Sequence, residues 1–260
     1  MKVQTLISAM HQNDEKILSR MNIQTDSILI NQSDRFNEKN LLFNGNKINI
    51  LSFKERGVGL SRNNALMRSN REICIFADED LSYVDGYEDI ILKEFADNPK
   101  ADLILFNVPS TNEERPTYLI PKKSRVRWYN SQRYGAVKIA VKTAKIKQAN
   151  IYFSLLFGGG AKYSAGEDSL FISDCLKKGL KIYANPEIIG YVNQVESSWF
   201  EGYTEKYFFD KGAFFATISK RWSWFLCLQF SLRHRNLYSE NKSIIEAFKL
   251  MLAGTKEIGK

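Results

Sequence analysis

Short apolar runs separated by helical patterns fill the first two thirds of the chain, and this alternation limits the fold more than any other feature. Residues 3–9, 27–30, 48–53, 73–77 and 102–108 read as strands. Between them residues 14–21, 61–68 and 87–96 read as helices, the last stopped by Asn98-Pro99. Strands alternating with helices imply a mainly parallel central sheet with helices on both faces. The expectation is an α/β fold of the doubly wound, nucleotide-binding type. No repeat or low-complexity linker interrupts the pattern before about residue 200, and the basic segment 115–147 is open to being a mobile excursion.

In such sheets ligands bind beyond the carboxyl ends of the strands. Three polar segments fall there: Met10-His11-Gln12-Asn13, Asn31-Gln32-Ser33-Asp34 and Asp78-Glu79-Asp80. The last follows Ile73-Cys74-Ile75-Phe76-Ala77, a continuous apolar run of the kind a strand buried on both faces requires. Asp78 and Asp80 are two residues apart, so in an extended chain their carboxylates point to one side and can share a cation. Hard oxygen ligands suit Mg2+ or Mn2+. A solvated acidic turn or a helix start explains the same three acids without chemistry.

Two glycine-rich segments add to this. Gly57-Val58-Gly59-Leu60 leads to Ser61, a plausible N-cap, and helix starts of this kind bind phosphate. Arg62 would then sit in the first turn against the helix dipole, a misfit that an anion relieves. With neither a full G-x-G-x-x-G nor a P-loop pattern, an ordinary loop–helix junction is the plainer reading. Later, Gly158-Gly159-Gly160 precedes Ser164-Ala165-Gly166-Glu167-Asp168 and an apolar helix that stops at Lys177-Lys178-Gly179. Ser164 and Glu167 have capping-box spacing, which explains Glu167 structurally and leaves Asp168 as a carboxylate able to accept a proton. The triple glycine permits close approach of a substrate.

Composition narrows the partners only a little. The 37 Lys and Arg against 29 Asp and Glu give a formal charge of +8, concentrated in residues 115–147 and 206–235. Such patches attract any phosphate: nucleic acid, lipid headgroup or diphosphate substrate. Cys74, Cys175 and Cys227 are odd in number and widely spaced, arguing against a disulfide framework or zinc site and for a reducing cytoplasm. The opening Met1-Lys2-Val3-Gln4-Thr5 enters a short strand-like run with no signal-peptide pattern.

In order and spacing, the acid-terminated strand Ile75-Phe76-Ala77-Asp78-Glu79-Asp80, the segment Gly59-Leu60-Ser61-Arg62-Asn63-Asn64-Ala65 and Gly166-Glu167-Asp168 together resemble the family 2 glycosyltransferases of the GT-A fold. These bacterial enzymes build capsular and other surface polysaccharides. The resemblance covers residues 1–200, expected as the catalytic domain, with 201–260 as a helical extension. It implies inverting transfer from a nucleoside-diphosphate sugar to a glycan or lipid-linked acceptor. By carry-over, Asp78 lies near ribose and metal, Asp80 is the principal metal ligand, and Asp168 is the catalytic base. Arg62 lies near the diphosphate, and Ala9 and Glu79 join the donor site. Members carry an Asp for the nucleobase where this chain has Asn31 and Asp34. A His often follows the late motif; here Gln194 or Trp199 occupies that region, with Gly159, Gly160 and Glu167 on the acceptor side.

Beyond residue 200, Phe208, Phe209, Phe214 and Phe215 precede the aromatic, basic-flanked run 220–235, too short to span a bilayer. It suits a helix in the membrane interface, holding the protein peripherally on the inner face of the plasma membrane, and equally an aromatic helix packed on the catalytic domain. A nucleotidyltransferase is the rival enzyme, distinguished by pyrophosphate release. A basic nucleic-acid-binding protein, not expected here, predicts salt-steep binding without metal. A catalytically inactive scaffold of a polysaccharide assembly complex is the third alternative.

Overall fold

The computed structural model describes residues 1–194 and 202–258. The first half runs β1 (Val3–Met10), α1 (Lys16–Arg20), β2 (Asp26–Gln32), β3 (Asn37–Phe43), β4 (Asn46–Phe53), α2 (Val58–Arg68), β5 (Ile73–Asp78), β6 (Leu81–Tyr83), α3 (Tyr87–Asp97) and β7 (Leu103–Asn107). There follow β8 (Ser124–Arg125), β9 (Ile139–Lys142), α4 (Thr143–Ala149), α5 (Glu167–Lys177), β10 (Ile182–Ile188) and β11 (Gly190–Val192). Four helices close the chain: α6 (Glu205–Ile218), α7 (Ser223–Arg233), α8 (Arg235–Tyr238) and α9 (Ile244–Ile258).

The main sheet has the order β3-β4-β2-β1-β5-β9-β7-β10-β8. Strands β4, β2, β1 and β5 are mutually parallel, as the βα alternation requires. Alternate residues face opposite layers. On β5, Cys74 and Phe76 join the core containing Leu6, Phe153 and Phe171, while Ile73, Ile75 and Ala77 join the one containing Ile7, Tyr87 and Phe95. Both faces are therefore covered, and the polar residues that follow the strands emerge together at one edge.

All five strands expected from the sequence lie in this sheet. The basic segment, however, is no mobile excursion. Its residues 139–142 form β9, which pairs antiparallel with both β5 and β7 at the sheet's centre. Flanking lysines hide a four-residue run, Ile139-Ala140-Val141-Lys142, whose three apolar members are buried. Edge strand β3 also escapes the pattern, because its Asn37-Glu38-Lys39-Asn40 face is solvated.

Past the sheet, α6 and α9 cross with their backbones in contact at two glycines. A Cβ on Gly212 would lie 1.9 Å from Met251 O, and one on Gly254 would lie 1.9 Å from Phe209 O. Ala213 and Phe214 of α6 pack with Phe157, Tyr163 and Leu170, joining this helical unit to the sheet-bearing part. Among the described residues no helix is long and apolar enough to cross a membrane. The three cysteines are free and buried.

Candidate active site

A cleft of about 2870 Å³ opens at the carboxyl ends of β1 and β5. Ala9, Arg62, Asp78, Glu79, Asp80 and Asp168 all line it, as do Gly159, Gly160, Glu167 and Gln194. Topology explains the convergence: β1 and β5 are neighbours in register, Ser8 beside Asp78, and α2 and α5 begin at the same edge.

At its centre is Arg62, only 4% exposed. Its Nη2 donates to both oxygens of Asp78 at 2.9 Å, and its Nη1 donates to Glu167 Oε1 at 2.8 Å. The guanidinium also lies 5.3 Å from the centre of the Phe153 ring. Burial disfavours its charge, but Asp78 and Glu167 outweigh that and hold it firmly protonated. Among the described residues its Nε is buried without a hydrogen-bond partner.

The helix carrying Arg62 starts earlier than Ser61. It begins at Val58 behind Gly57, whose φ of +124° suits glycine. Ser61 is not the N-cap; its hydroxyl donates to Ser8 Oγ at 3.0 Å. Arg62 accordingly lies beyond the first turn, and the carboxylates it binds, rather than a free anion, answer its charge. The glycine segments meet here, since Val58 N donates to Gly159 O at 3.0 Å, and a Cβ on Gly160 would lie 3.1 Å from Gly57 N. Gly159 and Gly160 thus brace the start of α2 while lining the cleft.

The two aspartates do not alternate along one extended strand. Asp78 ends β5, and Glu79-Asp80 turn the chain toward β6. Glu79 is drawn to β1, accepting from Met10 N at 3.3 Å and Gln12 Nε2 at 2.5 Å, and burial raises its pKa. Burial, then the charge of Asp78, pushes Asp80 up to about 7. Among the described residues no three His, Cys, Asp or Glu side chains gather into a cation site. Asp78 is held by Arg62, whereas Asp80 has no ion-pair partner among the described residues, and hard carboxylate oxygens of this kind suit Mg2+ or Mn2+.

On the opposite wall, the capping box does not form. The N-cap of α5 is Gly166, Ser164 Oγ donates to Asp210 Oδ2 at 2.9 Å, and Glu167 binds Arg62 instead. A buried guanidinium is a stronger partner than a helix-start amide. Asp168 is half-buried and accepts from Ser169 N at 2.6 Å; a Cβ on Gly135 would lie 3.7 Å from its Oδ2. Burial, then the charge of Glu167, pushes its pKa up to about 7.

The strand-two candidates stand one contact behind the cleft lining, Asn31 against Gln12 and Asp34 against Arg56. Asn31 is buried, its side chain exchanging hydrogen bonds with the Gln12 backbone and donating to Ser52 Oγ; Asp34 pairs with Arg56 on the surface at 3.1 Å. Neither lines the cleft, where Gln32 and Arg56 stand instead. Trp199 lies outside the described residues. Sequence reasoning passed over Gln12 as a partner of Glu79, although it follows a strand end, and over Lys211, which helix α6 brings to the same wall.

No family model and no curated protein matches the chain. Solved structures do. S. aureus TarS 1-349 in complex with UDP-GlcNAc superposes with a TM-score of 0.62 at 15% identity, covering 100% of this chain and 93% of that one. Its complex with UDP gives 0.60 at 15% identity, covering 100% and 92%. A mannosyltransferase from Pyrobaculum calidifontis, PcManGT, in complex with GDP-Man and Mn2+ gives 0.52 at 11% identity, covering 99% and 75%. The mostly parallel sheet, its helical layers and these superpositions give the chain the GT-A glycosyltransferase fold.

Proposed function

We propose that this chain is an inverting glycosyltransferase that moves a sugar from a nucleoside-diphosphate sugar to a hydroxyl of a glycan or lipid-linked acceptor, in the synthesis of a bacterial surface polysaccharide. The observation that carries the reading is the Arg62 clamp. It ties Asp78, at the end of β5, to Glu167, and so fixes Asp168, the next residue, on the wall of the same cleft. The cleft volume supports it too: about 2870 Å³ exceeds the ~300–1,000 Å³ of a single small-ligand site, leaving room for donor and acceptor. Solved structures of the same fold hold UDP-GlcNAc and GDP-Man, which favours a nucleotide-sugar donor here.

In this mechanism Asp168 accepts the proton of the acceptor hydroxyl as its oxygen attacks the anomeric carbon. The bond from that carbon to the diphosphate oxygen breaks, and the electron pair leaves with the nucleoside diphosphate. Attack opposite the leaving group inverts the centre. Arg62 does not need to move, since it holds both carboxylate walls in place. Asp80 would hold a Mn2+ or Mg2+, which would supply neutralisation of the leaving group's charge; the PcManGT structure is a complex with GDP-Man and Mn2+.

For the C-terminal helices the reading is peripheral attachment to an anionic membrane. Trp222, Trp224, Phe225 and Leu232 are 54%, 53%, 48% and 57% exposed beside Lys220, Arg221 and Arg233. Such a surface suits a headgroup interface and would deliver a lipid-linked acceptor to the cleft, which Trp222 and Phe225 also line. Product analysis tests the chemistry: incubation with UDP-, GDP- and dTDP-sugars should release nucleoside diphosphate from one donor. Release of pyrophosphate would assign a nucleotidyltransferase instead.

A further inference from the structure

Lys211 sits on α6 where that helix lines the cleft, half-buried. Its ammonium is surrounded by ring faces, 5.6 Å from the centre of Tyr207, 5.3 Å from Phe214 and 5.6 Å from Phe230. Aromatic faces attract a cation but offer no lone pairs to its three N–H groups. Among the described residues it has no ion-pair or hydrogen-bond partner. The Phe214 ring also packs on Gly166, where a Cβ would lie 2.6 Å from it, and Gly166 starts the helix turn that carries Asp168. Lys211 therefore stands beside the turn of the proposed base.

Two further basic side chains join it. The His234 ring lies 4.6 Å from that of Phe230, Arg233 precedes it, and both line the cleft with Lys211. Burial lowers the Lys211 pKa, opposed by attraction to Asp168. Burial, then Arg233 and Lys211, lowers that of His234, so both cations are close enough for His234 to feel their charge. These basic groups line the helical wall of the cleft, with Asp168 as the acid that acts on Lys211, and an anion entering along that wall meets them.

Resting on the glycosyltransferase reading, we propose that Lys211, Arg233 and His234 form an acceptor subsite for a phosphate group carried by the acceptor, which places the acceptor hydroxyl at Asp168. The subsite is separate from the position of the donor diphosphate near Asp78 and Asp80.

The test is 31P NMR line broadening of inorganic phosphate by the whole protein, alone and saturated with UDP or GDP, in wild type, Lys211→Met and Arg233→Gln. Arg233 is exposed, so its variant folds even if the half-buried Lys211 substitution does not. The expected result is phosphate binding that survives nucleotide saturation and weakens at least about fivefold in each variant. Displacement of phosphate by nucleotide, or equal binding in wild type and Arg233→Gln, would overturn the subsite. Absence of nucleotide binding and of nucleoside diphosphate release in wild type would instead count against the enzymatic reading, and the variant comparison would still stand.

Discussion

Arg62 Nη1 donates to Glu167 Oε1 at 2.8 Å across 105 residues of sequence, joining the helix after β4 to the helix that carries the proposed base. A buried cation that loses its role leaves its partners uncompensated, at a cost of about 3–5 kcal/mol. Asp78 is 35% exposed and can rehydrate, so Arg62→Met should cost about 3 kcal/mol, the low end. Urea unfolding reads this directly. Arg62→Lys, a point charge without the planar fork, should retain part of the stability and lose most of the transfer rate.

The pH dependence follows from Asp168, held up to about 7 by burial and by Glu167. Its ionised form accepts the proton, so kcat/KM should rise about tenfold per pH unit below 7 and level off above. For stability the sign runs oppositely. The folded state binds this proton more tightly than the unfolded chain, whose value is near the ordinary 3.8, so its contribution is present at low pH and is lost as pH rises toward 7. Asp168→Asn, which cannot ionise, should gain Tm relative to wild type between pH 4 and 7; a constant difference would contradict the raised pKa.

Much of the frame was legible because its signals are local. An apolar run such as Ile73-Cys74-Ile75-Phe76-Ala77 has few solutions other than a strand covered on both faces, and the acids after it had to emerge at the ligand edge. The partners of those acids were not legible. Ser164 and Glu167 have capping-box spacing, yet Asp210, beyond the sheet, takes Ser164 and Arg62 takes Glu167. Long-range charge pairing outcompeted the local motif. Similarly Asn31 lies at the carboxyl end of β2 like a ligand residue, but the Gln12 loop consumes its amide.

Helices α6 and α9 depend on a side-chain-free crossing. At Gly254 a Cβ would meet Phe209 O at 1.9 Å and Ala213 N at 2.9 Å, both backbone atoms that cannot turn aside. Gly254→Ala should therefore cost about 1–3 kcal/mol by overpacking. Gly45→Ala offers a steric comparison, since nothing lies within 4 Å of it, and its φ of +81° isolates the backbone contribution. Thermal unfolding of the two variants separates contact from conformation.

Membrane attachment through α7 predicts co-sedimentation with vesicles containing phosphatidylglycerol, reduced in high salt. Trp224→Ser with Phe225→Ser removes two exposed rings and should abolish it without lowering Tm, since both side chains are about half exposed. Binding that survives the double substitution would assign the attachment to another face.

As the proposed base, Asp168 should act on the acceptor hydroxyl without contributing to nucleotide binding. The measurement is nucleoside diphosphate release and nucleotide affinity, with and without Mn2+, for wild type, Asp80→Ala and Asp168→Asn. Release from one donor should fall at least about a thousandfold in Asp168→Asn while nucleotide affinity holds within about twofold, and Mn2+-dependent affinity should disappear in Asp80→Ala. Undiminished release by Asp168→Asn would rule Asp168 out as the base.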